Sequence, residues 1–185
     1  MRFCVFVGGI SGSGKTTLAT SLAAKGLGVQ VSASQIIKRE RGLEAERPRV
    51  VNADEAAINQ ELLVTGFAKF RLDVRAPILL DGHFVLASEE GYVDVATEVI
   101  RELDPDVIVL VRAPTSDVAS RLRARPVPAK WWDGTDAAID TYAERESERA
   151  ADAAAQLNVP LLFVDHGDGT AVAEVLEEAI RMLEV

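Results

Sequence analysis

The sequence has very few of the residues that build disulfides and zinc sites. Its 185 residues include one cysteine, Cys4, and two histidines, His83 and His166, that lie far apart. A single cysteine excludes an intrachain disulfide, and this spacing excludes the usual zinc-binding patterns. The sparing use of cysteine predicts a reducing, cytoplasmic setting.

Long hydrophobic runs and an excess of positive charge are also missing. No apolar run approaches the roughly 18 residues that cross a bilayer, and the run 3–7 ends at glycines, too early for a signal peptide. The chain carries 29 acidic and 20 basic residues, a formal net charge of −9, so duplex DNA or an anionic membrane would be repelled. We therefore expect small-molecule partners, and neither nucleic acid nor a membrane.

What the sequence does contain is an alternation of short apolar runs and longer helical segments. The composition, 48% hydrophobic and 26% charged, is that of one soluble globular domain. The short runs are apolar on both faces, as in parallel strands that are buried on both sides. The predicted strands are 3–7, 28–31, 77–80, 106–111 and 160–164, and the predicted helices are 15–25, 34–41, 54–75, 93–103, 115–125, 135–157 and 170–183.

This alternation predicts an α/β fold with a parallel sheet and right-handed crossovers. We expect a single domain over residues 1–185, interrupted by two excursions. One is the polar, arginine-rich stretch 39–52, and the other is the segment 125–135, which holds two prolines and two adjacent tryptophans. The helix pattern predicts no oligomeric state, because a helix that faces a subunit has the same pattern as one that faces the sheet.

The most specific motif is GISGSGKT at 9–16, which matches G-x-x-x-x-G-K-[ST] between a predicted strand and a predicted helix. Glycines let backbone amides turn toward a phosphate chain, and the helix N-terminus adds partial positive charge. We expect Lys15 to contact the β- and γ-phosphates of ATP and the Thr16 hydroxyl to bind Mg²⁺. The residues predicted to hold ATP are Gly9, Ser11, Gly12, Ser13, Gly14, Lys15, Thr16 and Thr17.

A second motif lies at the end of the third predicted strand. Asp81 follows Leu80 at the position from which a Walker B carboxylate holds Mg²⁺ beside the phosphate loop. A plain Asp-Gly turn is the alternative. Gly82 would let the chain pass close to a phosphate. His83 is a candidate contact to the phosphoryl acceptor, or else a packed histidine with one hydrogen bond.

Arginines at helical spacing form a third group. Arg121 and Arg125 lie four residues apart on one face of a predicted helix. We predict that both neutralise the charge of the transferred phosphoryl group, although a solvated basic helix end would look the same. The spacing recurs in the next helix among glutamates, which favours an exposed face of ion pairs: Arg145, Arg149, Glu144, Glu146 and Glu148.

Together these residues resemble the nucleoside monophosphate kinases of the P-loop superfamily, and the archaeal-type adenylate kinases in particular. The resemblance rests on the phosphate loop, Leu80-Asp81-Gly82, the two arginines before a proline-containing segment, and the Glu/Arg-rich helix after it. It implies a three-layer P-loop NTPase fold, with helices on both faces of a five-stranded parallel sheet of order 2-3-1-4-5. It also implies an acceptor-binding insertion at about 33–75 and a short lid at about 126–135.

The resemblance places the acceptor site after the second strand. Ser32 and Ser34 would lie near the acceptor, and Lys38 would stand where the family commonly has an arginine for the acceptor's phosphate. Gln60, on the long helix of the insertion, could bind an acceptor base through its amide. The sequence departs from the family at Lys38, at His83-Phe84-Val85, where an arginine is absent, and after Pro126, where the lid has no arginine.

The predicted function is ATP- and Mg²⁺-dependent transfer of the γ-phosphoryl group to a small acceptor, with AMP as the first candidate. Lys15, Arg121, Arg125 and Asp81 are the predicted catalytic residues, and Thr16 and Asp81 are the predicted Mg²⁺ ligands. This chemistry needs positioning and charge neutralisation, and no nucleophile. Two alternatives stand beside it: a kinase of another small-molecule hydroxyl, with Asp81 as base, and a nucleotide-binding switch or slow ATPase.

Overall fold

The computed structural model describes residues 3–42, 53–88, 91–126, 129, 131–165 and 168–183. The strands in this part of the chain are β1 (Cys4–Gly8), β2 (Val29–Ser32), β3 (Ile78–Asp81), β4 (Val85–Ser88), β5 (Gly91–Asp94), β6 (Val107–Arg112) and β7 (Leu161–Asp165). The helices are α1 (Lys15–Ala24), α2 (Ala33–Glu40), α3 (Ala53–Asp73), α4 (Thr97–Leu103), α5 (Thr115–Arg123), α6 (Asp136–Leu157) and α7 (Thr170–Leu183).

Five of these strands form a parallel sheet in the order β2-β3-β1-β6-β7. Counted among the parallel strands alone, this order is 2-3-1-4-5, so the predicted α/β fold of the P-loop type is confirmed. The central strand β1 is buried along its whole length. Its apolar run of five residues is therefore explained by cover on both faces of the sheet.

Helices pack on both faces of the sheet because successive strand side chains point to opposite sides. Cys4 and Phe6 of β1 contribute to a core that includes residues of α2, α3, α4, α5 and α6. Val5 and Val7 contribute to a second core that includes residues of α1 and α7. The three layers predicted from the sequence are present.

The largest departure from the predicted elements is an antiparallel hairpin of β4 and β5. The predicted helix 93–103 is wrong over its first part, since Val93 and Asp94 belong to β5 and α4 begins at Thr97. The run Tyr92-Val93-Asp94-Val95 is rich in strand-forming residues. Tyr92 stacks on the ring of Tyr142 with a centroid distance of 4.8 Å, and this contact packs the hairpin on α6.

The sheet brings the segments that hold the predicted site residues to one edge. Parallel strands β1, β2 and β3 end side by side, and the register pairs Val7 with Asp81 and Ser32 with Asp81. The phosphate loop, the start of α2 and the segment after β3 therefore meet at the carboxyl ends of the strands. The predicted excursions fall partly outside the described residues, at 43–52, 127–128 and 130. No helix within the described ranges is long and apolar enough to cross a membrane.

Candidate active site

A cleft of about 1340 Å³ opens at this edge of the sheet. Its walls are the phosphate loop, the start of α2, the segment after β3, the end of α5 and the start of α7. Most residues predicted from the sequence to form the site line it: Ser11, Gly12, Ser13, Gly14, Lys15, Thr16, Thr17, Ser32, Ser34, Asp81, His83, Arg121 and Arg125.

The fixed glycines of the motif have backbone conformations in the phosphate loop that favour glycine. Gly9 has φ 135° and Gly14 has φ 108°, both in the left-handed region. A Cβ atom at Gly9 would also lie 2.5 Å from the carbonyl oxygen of Val111. Two of the motif's fixed glycines are thus required by the geometry of the turn.

Lys15 is buried at the base of the cleft, with 6% of its surface exposed. Its Nζ donates to the carbonyl oxygen of Ile10 at 3.2 Å. Burial lowers the pKa of Lys15, and the carboxylates of Asp81 and Glu146 act in the opposite direction. Lys15 is therefore a buried cation whose charged form two carboxylates favour, at the start of α1.

Thr16 near the start of α1 and Asp81 at the end of β3 bring two side-chain oxygens together. The Thr16 hydroxyl donates to Asp81 Oδ2 at 2.5 Å, and Asp81 is 7% exposed. Hydroxyl and carboxylate oxygens are the hard ligands that Mg²⁺ prefers. The described residues hold no cluster of three or more His, Cys, Asp or Glu that could bind a metal. The site therefore fits Mg²⁺ that is bound together with nucleotide phosphates and water.

Both predicted arginines contact the phosphate loop, Arg121 from the last turn of α5 and Arg125 from the segment just after it. Arg121 Nη1 donates to the carbonyl oxygens of Gly12 at 2.8 Å and Ser13 at 3.3 Å. Arg125 Nη1 donates to Ser11 Oγ at 3.0 Å. Arg123, between them in sequence, instead lies over the ring of Trp132 at 5.4 Å. Arg121 and Arg125 thus both face the cleft, but the predicted helix 115–125 ends at Arg123, so the two arginines do not share a helix face.

The predicted acceptor contacts divide into two groups. Ser32 and Ser34 lie together at the start of α2, with their hydroxyl oxygens 3.1 Å apart, and His83 also lines the cleft. Lys38 and Gln60, which the structure also describes, are not among the lining residues. Gln60 Oε1 instead accepts from the backbone N–H of Ala96 at 3.5 Å, at the start of α4. Which residues of α3 face the cleft depends on the rotation of the helix about its axis, and tertiary packing sets that rotation.

Arg145 and Arg149 of α6 form ion pairs, as the sequence favours for this helix. Arg145 pairs with Asp94 of the hairpin at 2.8 Å, and Arg149 donates to the carbonyl oxygen of Val95 at 3.3 Å. Neither arginine lines the cleft. Both fasten the hairpin and the start of α4 to α6.

Glu146 is the site residue that the sequence analysis missed, because it was assigned to that exposed face. It is 1% exposed. Its Oε1 accepts from the N–H groups of Gly9 and Phe84, each at 3.0 Å, and its Oε2 accepts from Val85 N–H at 2.7 Å. Burial raises the pKa of Glu146, while the three amides and Lys15 oppose that shift.

One sequence feature points to the burial of Glu146. The buried stripe of α6 contains Ile139, Tyr142, Glu146, Ala150 and Ala153, a spacing of three and four residues. A glutamate within an otherwise apolar or small stripe is a candidate for a buried charge.

An aromatic wall closes one side of the cleft. Tyr142, only 3% exposed, and Trp131 both line the cleft, with ring centroids 4.8 Å apart in an edge-on arrangement. The Tyr142 hydroxyl donates to the carbonyl oxygen of Val85 at 2.7 Å. Leu86 and Ala87 of β4 continue this wall.

Comparison with known proteins places this site in a family. Residues 8–129 match the model of a family described as AAA domain. This match covers well over half of the chain, and the chain therefore belongs to the AAA domain family. No curated protein matches the sequence.

Solved structures show that the fold is that of P-loop kinases. Shikimate kinase from Acinetobacter baumannii, in complex with shikimate, has a TM-score of 0.60 at 13% identity over 98% of this chain and 94% of that chain. A putative kinase from Chloroflexus aurantiacus J-10-fl has a TM-score of 0.59 at 18% identity, over 96% and 97% of the two chains. A sugar kinase from Janibacter sp. HTCC2649 has a TM-score of 0.50 at 19% identity, over 100% and 96%.

Proposed function

We propose that this protein is an ATP- and Mg²⁺-dependent phosphotransferase that moves the γ-phosphoryl group of ATP to a hydroxyl group of a small molecule. The observation that carries the proposal is the convergence of Lys15, the Thr16–Asp81 pair, Arg121 and Arg125 on one cleft. These are the groups that phosphoryl transfer requires, since it depends on positioning and charge neutralisation.

Each donor-side residue has a distinct task. The backbone amides of the phosphate loop and Lys15 would bind the β- and γ-phosphates. Mg²⁺, held by Thr16 and Asp81 together with the phosphates, would neutralise part of their charge. Arg121 and Arg125 would stabilise charge on the equatorial oxygens of the transferred group, where planar guanidinium groups match the geometry of phosphate.

The acceptor side of the cleft favours a neutral molecule. In the described part of the chain, the Lys and Arg residues that line the cleft are Lys15, Lys25, Arg121 and Arg125. Lys25 lies at the far end of α1, about 15 Å along the helix from the phosphate loop. An acceptor phosphate needs a cation of its own beyond those that bind ATP. The available groups, Ser32, Ser34, Gln35 and His83, are instead suited to bind hydroxyls.

Two of the structural neighbours agree with a hydroxyl acceptor, since their names give shikimate and a sugar as the compounds concerned. Shikimate is also a carboxylate, so the agreement concerns the hydroxyl group and not the charge. Both compounds carry hydroxyl groups. The aromatic wall of Trp131 and Tyr142 also provides an apolar surface for the face of a small ring.

A nucleoside monophosphate, AMP first, is the second candidate acceptor. It is supported by the resemblance to adenylate kinases and by the paired arginines before the segment 126–135. That segment would act as a lid that excludes water during transfer, and residues 33–75 would form the acceptor-binding insertion of the single domain. We place AMP second because Lys38 and Gln60 do not line the cleft.

A coupled assay of ADP formation tests the proposal. The protein would be mixed with Mg²⁺-ATP and two acceptor panels: neutral sugars, cyclic polyols and nucleosides in one, nucleoside monophosphates in the other. We expect ADP formation that depends on a member of the neutral panel and is lost in Arg125→Ala but kept in Arg123→Ala. Activity with the monophosphate panel alone would favour the second candidate. ADP formed at the same rate without any acceptor would favour the slow ATPase.

A further inference from the structure

We propose that Glu146 is a positioning residue, which fixes the phosphate loop and the His83 segment to each other from helix α6. It does not line the cleft and so has no direct contact with a ligand there. The inference depends on the proposed function only in that the loop binds nucleotide phosphates.

The first contact is with the phosphate loop. Gly9 is the first fixed residue of the motif, and with φ 135° it turns the chain away from β1. At this turn its N–H donates to Glu146 Oε1 at 3.0 Å, across 137 residues of sequence. Glu146 thereby sets the orientation of the peptide from which the loop starts. A small rotation there would move the later amides, which must point together at one phosphate chain.

The second contact is with the segment after β3. The same carboxylate accepts from Phe84 N–H at 3.0 Å and from Val85 N–H at 2.7 Å. One turn earlier on α6, Tyr142 donates to the carbonyl oxygen of Val85 at 2.7 Å. The N–H and the carbonyl group of Val85 are therefore both hydrogen-bonded to side chains of α6. His83, which lines the cleft, has its Nδ1 3.8 Å from Glu146 Oε1.

The chemistry requires a carboxylate at this position. Three N–H donors converge on two oxygens, and a carboxylate accepts all of them. A glutamine has one oxygen and an NH₂ donor. In its more favourable orientation, the glutamine oxygen would still accept from Gly9 and Phe84. Its NH₂ group would then face the N–H of Val85, and two donors form no hydrogen bond. The negative charge also favours the charged form of Lys15.

A stabilising residue and a positioning residue are distinguished by nucleotide affinity. Isothermal titration calorimetry with Mg²⁺-ADP would compare the unchanged protein with Glu146→Gln, Glu146→Ala and Glu148→Gln. The stoichiometry gives the folded fraction, and the dissociation constant describes the molecules that are folded. Glu148 is the matched control, because it lies on the same helix and is exposed.

We expect the dissociation constant to rise about tenfold in Glu146→Gln, which corresponds to about 1.4 kcal/mol, and further in Glu146→Ala. Glu148→Gln should stay within twofold. An unchanged dissociation constant in a folded Glu146→Gln, with only a lower melting temperature, would overturn the inference. If Glu146→Ala does not fold, the Glu146→Gln result decides. No Mg²⁺-ADP binding by the unchanged protein would instead overturn the proposed function.

Discussion

The hydroxyl of Thr16 donates a hydrogen bond to the carboxylate of Asp81 at 2.5 Å, although 65 residues separate them in sequence. The contact follows from the sheet, because β1 and β3 are parallel neighbours whose register places Val7 beside Asp81. The phosphate loop that follows β1 therefore ends beside the carboxylate that ends β3. This pair is the proposed place in the cleft for a divalent cation.

Asp81→Asn should weaken the use of Mg²⁺ without unfolding the protein. An amide keeps the size of the carboxylate but removes its charge, so the Mg²⁺ concentration for half-maximal activity should rise on the order of tenfold or more. Activity measured against Mg²⁺ at a fixed ATP concentration would show this. Asp136→Asn, an exposed residue on α6, is the control and should leave the Mg²⁺ dependence unchanged. An Asp81→Asn protein with the original Mg²⁺ dependence would contradict the assignment.

Arg125→Ala should reduce kcat far more than Arg123→Ala. Arg125 contacts the phosphate loop through Ser11 Oγ, whereas Arg123 lies over the ring of Trp132. Loss of one group that stabilises transition-state charge costs about 10²- to 10³-fold in kcat. Arg123→Ala should cost less than about twofold. Steady-state kinetics of both variants would settle the difference, and equal losses would remove Arg125 from the predicted role.

Glu146→Ala should lower the free energy of unfolding strongly. The substitution removes the acceptor of three buried N–H groups, and each unsatisfied buried donor costs about 1–3 kcal/mol. We therefore expect a loss of about 3 kcal/mol or more in urea denaturation followed by circular dichroism. Glu144→Ala, on the exposed face of the same helix, should stay within about 0.5 kcal/mol. Similar losses in the two variants would show that the three hydrogen bonds contribute little.

Cys4 should be inert in the folded protein. Its side chain is fully buried in β1, and burial raises the pKa of the thiol from 9.0 to about 12. Because the folded state holds this proton more tightly than the unfolded state, stability should fall as the pH rises above 9 toward 12. At pH 8, a thiol reagent such as DTNB should label the protein only as fast as it unfolds. Rapid labelling of the native protein would contradict the burial of Cys4.

Features encoded locally in the sequence could be predicted. The phosphate loop is a contiguous motif, and the two predicted arginines both contact that loop. The predicted reason, a shared helix face, is wrong for Arg125, because α5 ends at Arg123. The sheet order came from the family resemblance, and the structure has the same order.

Features that depend on packing between distant segments could not be predicted. Gly82 has a packing role that the sequence did not indicate, because a Cβ there would lie 2.7 Å from Cζ of Phe6. Gln60 contacts the start of α4 because α3 packs beside α4. Glu146 was assigned to the exposed face of α6 by its charged neighbours, while its acceptor role depends on amides that lie 61 to 137 residues away.

The most direct test of the account is ³¹P NMR of the reaction with Mg²⁺-ATP and the neutral hydroxyl panel. We predict a new phosphate-ester resonance that grows together with ADP only when an acceptor is present, and that is absent with Arg125→Ala. ADP and inorganic phosphate that form at equal rates with and without every acceptor would contradict phosphoryl transfer as the function of this cleft.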